Sequence, residues 1–346
     1  MPQMVPMIYA PEVLAARAEG RPIVALESTI ITHGMPFPDN QIMAKRVEQD
    51  LRDMGVCPAT IAVMEGNIHI GLTAQNLERL AKTKEAAKLS RADLAVCVAA
   101  GTTGATTVAA TMICAAITGI KVFATGGIGG VHRGASESFD VSADLREFAL
   151  SSVTVVCAGA KAILDLPKTF ELLETYGVPV IAFGQDQIPA FWSRESGLIA
   201  PLRMDDPKAI ARAHQMRAAL GLAGGQLVVN PIPYIDEIPN HEIEPAILAA
   251  LAQAQAQSIS AKKVTPFLLD YIFQITKGRS LAANIARWAG PPAGRPARAD
   301  AAGGVGSAVR LVARRAAGCR GVDQNGVRRR RCRPAARRRR RAGKPK

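Results

Sequence analysis

Seven short apolar runs, recurring between longer stretches of helical periodicity, constrain this chain more than any other feature. They are PIVAL (22–26), ATIAVM (59–64), LAVCVA (94–99), KVFAT (121–125), VTVVCA (153–158), VPVIAF (178–183) and QLVVN (226–230). Several are apolar at consecutive positions rather than alternate ones, as strands covered on both faces require. Alternation of such strands with helices predicts an α/β fold, a largely parallel central sheet with helices on both faces in an α/β/α sandwich. Helices are expected at about 40–54, 75–82, 105–118, 160–175, 206–220, 243–257 and 265–276. Asp206-Pro207 and Thr265-Pro266 each supply a cap residue followed by a proline for the first turn. With 346 residues, 48% of them hydrophobic, the chain can bury a sizeable core, which excludes a disordered or a small disulfide-stapled protein.

The formal charge of +14 points to a nucleic-acid binder until its placement is considered. Residues 287–346 hold 17 Arg, 2 Lys and 2 Asp, a net of +17, whereas the first 286 residues carry 24 basic against 27 acidic side chains. The body is therefore mildly acidic and the basic charge is a tail rich in Arg, Ala, Gly and Pro. That composition supplies no core, so residues 1–286 are expected to form one catalytic domain and 287–346 a disordered tail. No aromatic residue follows Trp288, which weighs against a nucleic-acid arm. A GC-rich coding region read out of frame would have the same composition.

Cys57, Cys97, Cys114 and Cys157 lie in apolar runs without any CxxC pair, as expected of reduced core thiols in a cytoplasmic protein. The N-terminus lacks the basic and apolar regions of a signal peptide. Leu94 to Ile120 contains no charge over 27 residues, but Gly101-Thr102-Thr103-Gly104 and Thr106-Thr107 interrupt it. A buried strand, a turn and a helix are expected there rather than a membrane span.

Polar and small residues gather where the apolar runs end: Glu27-Ser28-Thr29, GTTGATT, GGIGGVHRG, Gly159-Ala160-Lys161 and Asn230-Pro231. Ligands of parallel α/β sheets bind at the carboxyl ends of strands, so these five clusters predict one enzyme site. Lys161, expected at a helix start beside apolar packing, suits an amine that attacks a sugar carbonyl carbon, although a phosphate-binding lysine has the same placement. Glu27 suits a proton donor or acceptor, or else a cap for the next loop. Asp140 and Asp144 could supply hard oxygen ligands to Mn²⁺ or Mg²⁺, or cap a helix. The glycine stretch 126–130 matches neither GxGxxG nor a P-loop, and it could admit a ligand or form a tight turn beneath a helix. No zinc spacing and no GxSxG elbow is present.

Longer motifs now become informative. ALESTIITHGMPFPDN (25–40), AAGTTGATTVAATM (99–112), KVFATGGIGGVHRGASESFDVSADL (121–145), TVVCAGAKAILDLPKTFELLETYGVPVIAF (154–183) and VVNPIP (228–233) resemble the pseudouridine-5'-phosphate glycosidases, the indigoidine synthase A-like family. The resemblance runs from about residue 8 to Asn284. It implies reversible cleavage of the C–C glycosidic bond of pseudouridine 5'-phosphate to uracil and ribose 5-phosphate, a divalent cation, usually Mn²⁺, and a homotrimer. By position, Glu27 matches the proton donor, Lys161 the nucleophile and Asp140 the metal-binding aspartate. Lys88, Val108 and Ser142-Ala143-Asp144 match substrate contacts, and Thr125, His132 and Asn284 are expected to line the same pocket. The chain departs from the family pattern after Asn284, where RWAGPPAGRPARAD stands in place of an apolar helix. Two alternatives remain beside this reading: a Schiff-base lyase for another sugar phosphate, and a nucleic-acid-binding protein using the tail.

Overall fold

Six of the seven expected apolar runs are covered on both sides, five of them by the same two separate cores. Along the strands, Val24, Leu26, Val122, Ala124, Val156, Ile181 and Val228 face one core, which the helix residues Met43, Val47, Leu51 and Ile210 complete. Their neighbours Ala25, Phe123, Val155, Cys157, Val180, Leu227 and Val229 face the other, larger core. Each fully buried Val, Leu, Ile or Phe contributes about 1.5–3 kcal/mol relative to exposure, and both faces of one strand collect that contribution. The computed structural model describes residues 5–259 and 264–280. Asn284, the expected boundary at 286, Cys319, Cys332 and the arginine-rich tail lie outside the described residues.

The strands are β1 (Met7–Tyr9), β2 (Ile23–Leu26), β3 (Cys57–Met64), β4 (Asn67–Ile70), β5 (Ala87–Leu89) and β6 (Gly104–Thr106), followed by β7 (Val122–Ala124), β8 (Thr154–Cys157), β9 (Val180–Phe183), β10 (Leu202–Met204) and β11 (Gln226–Val229). The helices are α1 (Pro11–Glu19), α2 (Thr29–His33), α3 (Asp39–Asp53), α4 (Ala74–Lys82), α5 (Arg91–Ala99) and α6 (Val108–Thr118), then α7 (Ala135–Ser138), α8 (Ala143–Phe148), α9 (Leu166–Thr175), α10 (Pro207–Ala219), α11 (Asn240–Ala256) and α12 (Val264–Ile275).

The sheet order is β1-β4-β3-β2-β7-β8-β11-β9-β10, with β6 and then β5 attached beside β3. Among the strands of the described residues, β4 and β6 alone pair antiparallel, both with β3, so the sheet is largely parallel as expected. The eight residues of β3 are all buried and serve three partners, β2, β4 and β6. Cys57 to Thr60 pair with β2, and Ile61 to Met64 pair with β4. The short β5–β6 pair is therefore an annex hung on the far half of β3.

Three expectations need correction. LAVCVA (94–99) is not a strand but most of α5. Its buried residues Leu94 and Cys97 are three apart and Val96 points outward, a helical face, and Asp93 accepts hydrogen bonds from the N–H and hydroxyl of Ser90 at 2.9 and 2.8 Å. The helix expected from 105 starts at Val108, because residues 104–106 form β6 and Thr107 caps the helix. The helix expected from 160 starts only at Leu166, where Asp165 accepts from the Lys168 N–H at 3.2 Å and Pro167 fills the first turn. The uncharged stretch 94–120 is divided among α5, β6 and α6, and among the described residues no helix is long and apolar enough to cross a membrane. Cys57, Cys97, Cys114 and Cys157 are all buried, and burial pushes Cys57 and Cys114 up to about 12.

Candidate active site

Parallel strands end together, and the loops leaving β2, β7 and β8 open on one cavity of about 340 Å³. Glu27 is the first residue beyond β2, and its carboxylate accepts hydrogen bonds from the hydroxyls of Thr29 and Thr125. Thr125 is fully buried and stands behind Glu27 rather than on the cavity wall. Its hydroxyl fixes one carboxylate oxygen, so Thr125 sets the orientation of Glu27.

Lys161 reaches the cavity from the irregular segment between β8 and α9, not from a helix terminus. Its N–H donates to the carbonyl of Ile128 at 3.1 Å, which lays this segment against the glycine-rich loop. At Gly127 and Gly129, which also line the cavity, protein fills the space that a side chain would need. A Cβ on Gly127 would stand 2.4 Å from the Phe191 ring, and one on Gly129 would meet Ser142 Oγ at 2.3 Å and Asp144 Oδ2 at 2.7 Å. Close packing at these positions goes together with a place on the cavity wall.

Asp144 is 5% exposed, and its carboxylate accepts from the N–H of Ala109 at 2.9 Å and of Gly129 at 2.8 Å. It thereby ties the first turn of α6 to the glycine loop, while still bordering the cavity. Ser142, which caps α8, Ala143 and Val108, the first residue of α6, are also on the wall. Lys88 enters from β5, with His33 from the end of α2 nearby. Burial lowers the His33 imidazole below its ordinary value, and the positive charge of Lys88 adds to that.

His132 and Asp140 form the remaining polar part. Their backbones join through the His132 N–H and the Asp140 carbonyl at 3.0 Å, and His132 Nδ1 stands 3.9 Å from Asp140 Oδ2. Burial lowers the His132 imidazole, with Lys161 and Lys88 acting in the same direction and Asp140 opposing them. The Asp140 side chain is 33% exposed, open to ligand on one side. No group of three or more His, Cys, Asp or Glu converges among the described residues. The Asp140 carboxylate presents a hard oxygen donor of the kind that Mn²⁺ or Mg²⁺ takes together with water and ligand oxygens.

The structure thus gathers Glu27, Lys88, Val108, His132, Asp140, Ser142, Ala143, Asp144 and Lys161 around one cavity. Asn230 directly follows β11 but is not on the cavity wall. Sequence reasoning missed His33, Ser90, Phe191 and Leu269, all of which border it. Ser90 was within reach, since Ser-x-x-Asp before an apolar run is a helix-start signature beside Lys88. Phe191 was not, because it enters through a left-handed backbone, φ 62°, that no pattern announces.

A family model described as Indigoidine synthase A like protein matches residues 12–288. A pseudouridine-5'-phosphate glycosidase of Paracoccus denitrificans is 66% identical over 286 residues, covering 82% of this chain and 94% of that one. One of Roseobacter denitrificans is 66% identical over 281 residues, covering 81% and 91%. Among solved structures, the prealnumycin C-glycosynthase AlnA in complex with ribulose 5-phosphate is 35% identical, with a TM-score of 0.77 over 91% of this chain and 97% of that one. An indigoidine synthase A-like protein of Thermotoga maritima is 30% identical, also at 0.77, over 92% and 98%.

Proposed function

Because this chain belongs to the indigoidine synthase A-like family, we propose that it reversibly cleaves the C–C bond joining ribose to uracil in pseudouridine 5'-phosphate, giving uracil and ribose 5-phosphate. The observation that carries this reading is the placement of an amine, Lys161, and a carboxyl group, Glu27, on one cavity that Lys88 also lines. The names of the 66% identical relatives support the same substrate.

A carbon leaving group needs two things: a way to place the bonding electrons and a proton for the departing carbon. The neutral Nζ of Lys161 attacks ribose C1' as the bond from C1' to the ring oxygen breaks, and the proton that the new ammonium sheds passes to that oxygen, a transfer that returns a lone pair to the nitrogen. The nitrogen lone pair then forms the C1'=N bond as the C1'–C5 bond breaks, and C5 of uracil takes a proton from Glu27. Water hydrolyses the resulting iminium, releasing ribose 5-phosphate and restoring the amine. Thr29 and Thr125 hold the Glu27 carboxyl in place for its transfer. Lys88 offers the phosphate a countercharge, and Val108 at the start of α6 offers it a helix N-terminus. A divalent cation, Mn²⁺ by family resemblance, would be held by Asp140 and supply positive charge to substrate oxygens.

The test runs the reaction backwards: uracil and ribose 5-phosphate with Mn²⁺ should yield a C-nucleoside phosphate, and uridine 5'-phosphate should not be cleaved. Absence of the C-nucleoside, with consumption of another sugar phosphate, would favour the alternative lyase. The same reading carries a homotrimer in the cytoplasm, for which light scattering and cell fractionation are the checks.

A further inference from the structure

Lys161 stands on a segment that is neither helix nor regular strand, so its position must be fixed by contacts from outside that segment. Residues 158–165 run beside residues 126–134 and pair with them at two points, Ile128 with Ala160 and His132 with Leu164. The Asp165 N–H adds a bond to the Val131 carbonyl at 2.9 Å. Between these points, the carbonyls of Ala162 and Leu164 turn toward one side chain. Arg133 Nη2 donates to the Ala162 oxygen at 3.2 Å, and its Nε to the Leu164 oxygen at 3.4 Å.

The guanidinium is itself held from behind. Its Nη1 and Nη2 meet the two carboxylate oxygens of Glu244 at 2.8 and 3.2 Å. Glu244 belongs to α11, which packs against α12, and α12 places Thr265 and Leu269 on the cavity wall. Arg133 follows the cavity residue His132 but is not itself on the wall. A planar fork with five donors can serve two carbonyls and a carboxylate together, which a lysine ammonium on a flexible stem cannot reproduce.

We propose that Arg133, anchored by Glu244, is the positioning residue for the reacting amine: it locks the segment on which Lys161 stands so that Nζ meets ribose C1'. The inference rests on the reading of Lys161 as nucleophile. Misplacing a reacting group by about 1 Å costs on the order of a hundredfold in rate without any loss of binding groups. The expected signature is therefore slower covalent chemistry with substrate affinity preserved.

The experiment uses the full chain as Arg133→Lys, Glu244→Gln and the double variant. Ribose 5-phosphate and borohydride trap the Lys161 adduct for mass spectrometry, with kcat, KM and Tm measured in parallel. For Arg133→Lys, trapping and kcat should both fall roughly 10- to 100-fold while KM stays within about threefold. Glu244→Gln, the milder change, should cost about three- to tenfold, and the double variant should be no worse than Arg133→Lys, since the two residues act as one unit. Wild-type trapping at Lys161 with unaltered rates in both variants, or a loss confined to KM or Tm, overturns the positioning role alone. Turnover by the wild-type enzyme without any adduct at Lys161 overturns the nucleophile reading, and the proposal with it.

Discussion

The two sides of the cavity are built by different means. Glu27, the glycine loop and Lys161 leave β2, β7 and β8, strands with packed cores on both faces. Lys88, Ser90, Thr107 and Val108 come from the β5–β6 annex and the helix starts that follow it, where each strand has three residues. A chain of buried hydroxyls joins the sides: Ser28 and Thr106 both donate to the Ile61 carbonyl, at 2.7 and 2.6 Å, and Thr111 donates to Thr106 at 2.9 Å. Asp144 makes a second tie through Ala109 and Gly129. Groups proposed to make and break bonds leave strands covered on both faces, and groups proposed to recognise the substrate leave the short annex and its helix starts.

The sharpest way to break this division is to remove the reactive pair. Lys161→Ala should lower turnover by roughly three orders of magnitude or more with an unchanged Tm, and should give no borohydride adduct. Glu27→Gln should lose roughly 10²–10⁴-fold in turnover yet still bind substrate and still form the Lys161 adduct from ribose 5-phosphate, because an amide keeps the shape but cannot transfer the proton. Near-normal turnover in either variant would remove that residue from the chemistry.

Lys88→Met addresses the other side and should act on KM, raising it roughly 10- to 100-fold, the worth of one charge-assisted hydrogen bond. Because the Lys88 charge disfavours a protonated His33, its removal should also raise the His33 pKa, which an NMR titration of the imidazole would follow. A fall in kcat at constant KM would place Lys88 among the reacting groups instead. Asp144→Asn, the smallest effect, should cost about 1–3 kcal/mol of stability, because an amide nitrogen would then face an N–H that had a carboxylate oxygen. It should also change kcat and KM together, since Asp144 touches both sides. An unchanged denaturation midpoint would show the tie to be dispensable.

The same contrast decided what could be read from the sequence. The strands β2, β7, β8, β9 and β11 were legible because burial on both faces leaves unbroken apolar runs. In the annex, β5 and β6 are too short for any period to show, and LAVCVA reads equally as a buried strand or a helix segment until the Ser90 and Asp93 cap is considered. Glu27 and Lys161 were found because strand ends in parallel sheets collect ligands and because their motifs are distinctive. His33 and Phe191 were not, since each reaches the cavity only through tertiary packing.

The absence of space at Gly127 and Gly129 bears on how such a cavity could be redirected to a different leaving group. One added methyl at either position would collide with Phe191 or with Ser142 and Asp144, so a codon change there disturbs the scaffold before it alters selectivity. Volume can be exchanged instead at Val108, Val141 and Leu269, apolar side chains on the wall. A mutational library aimed at a bulkier aglycone would reach functional variants sooner through those three positions than through the glycine loop.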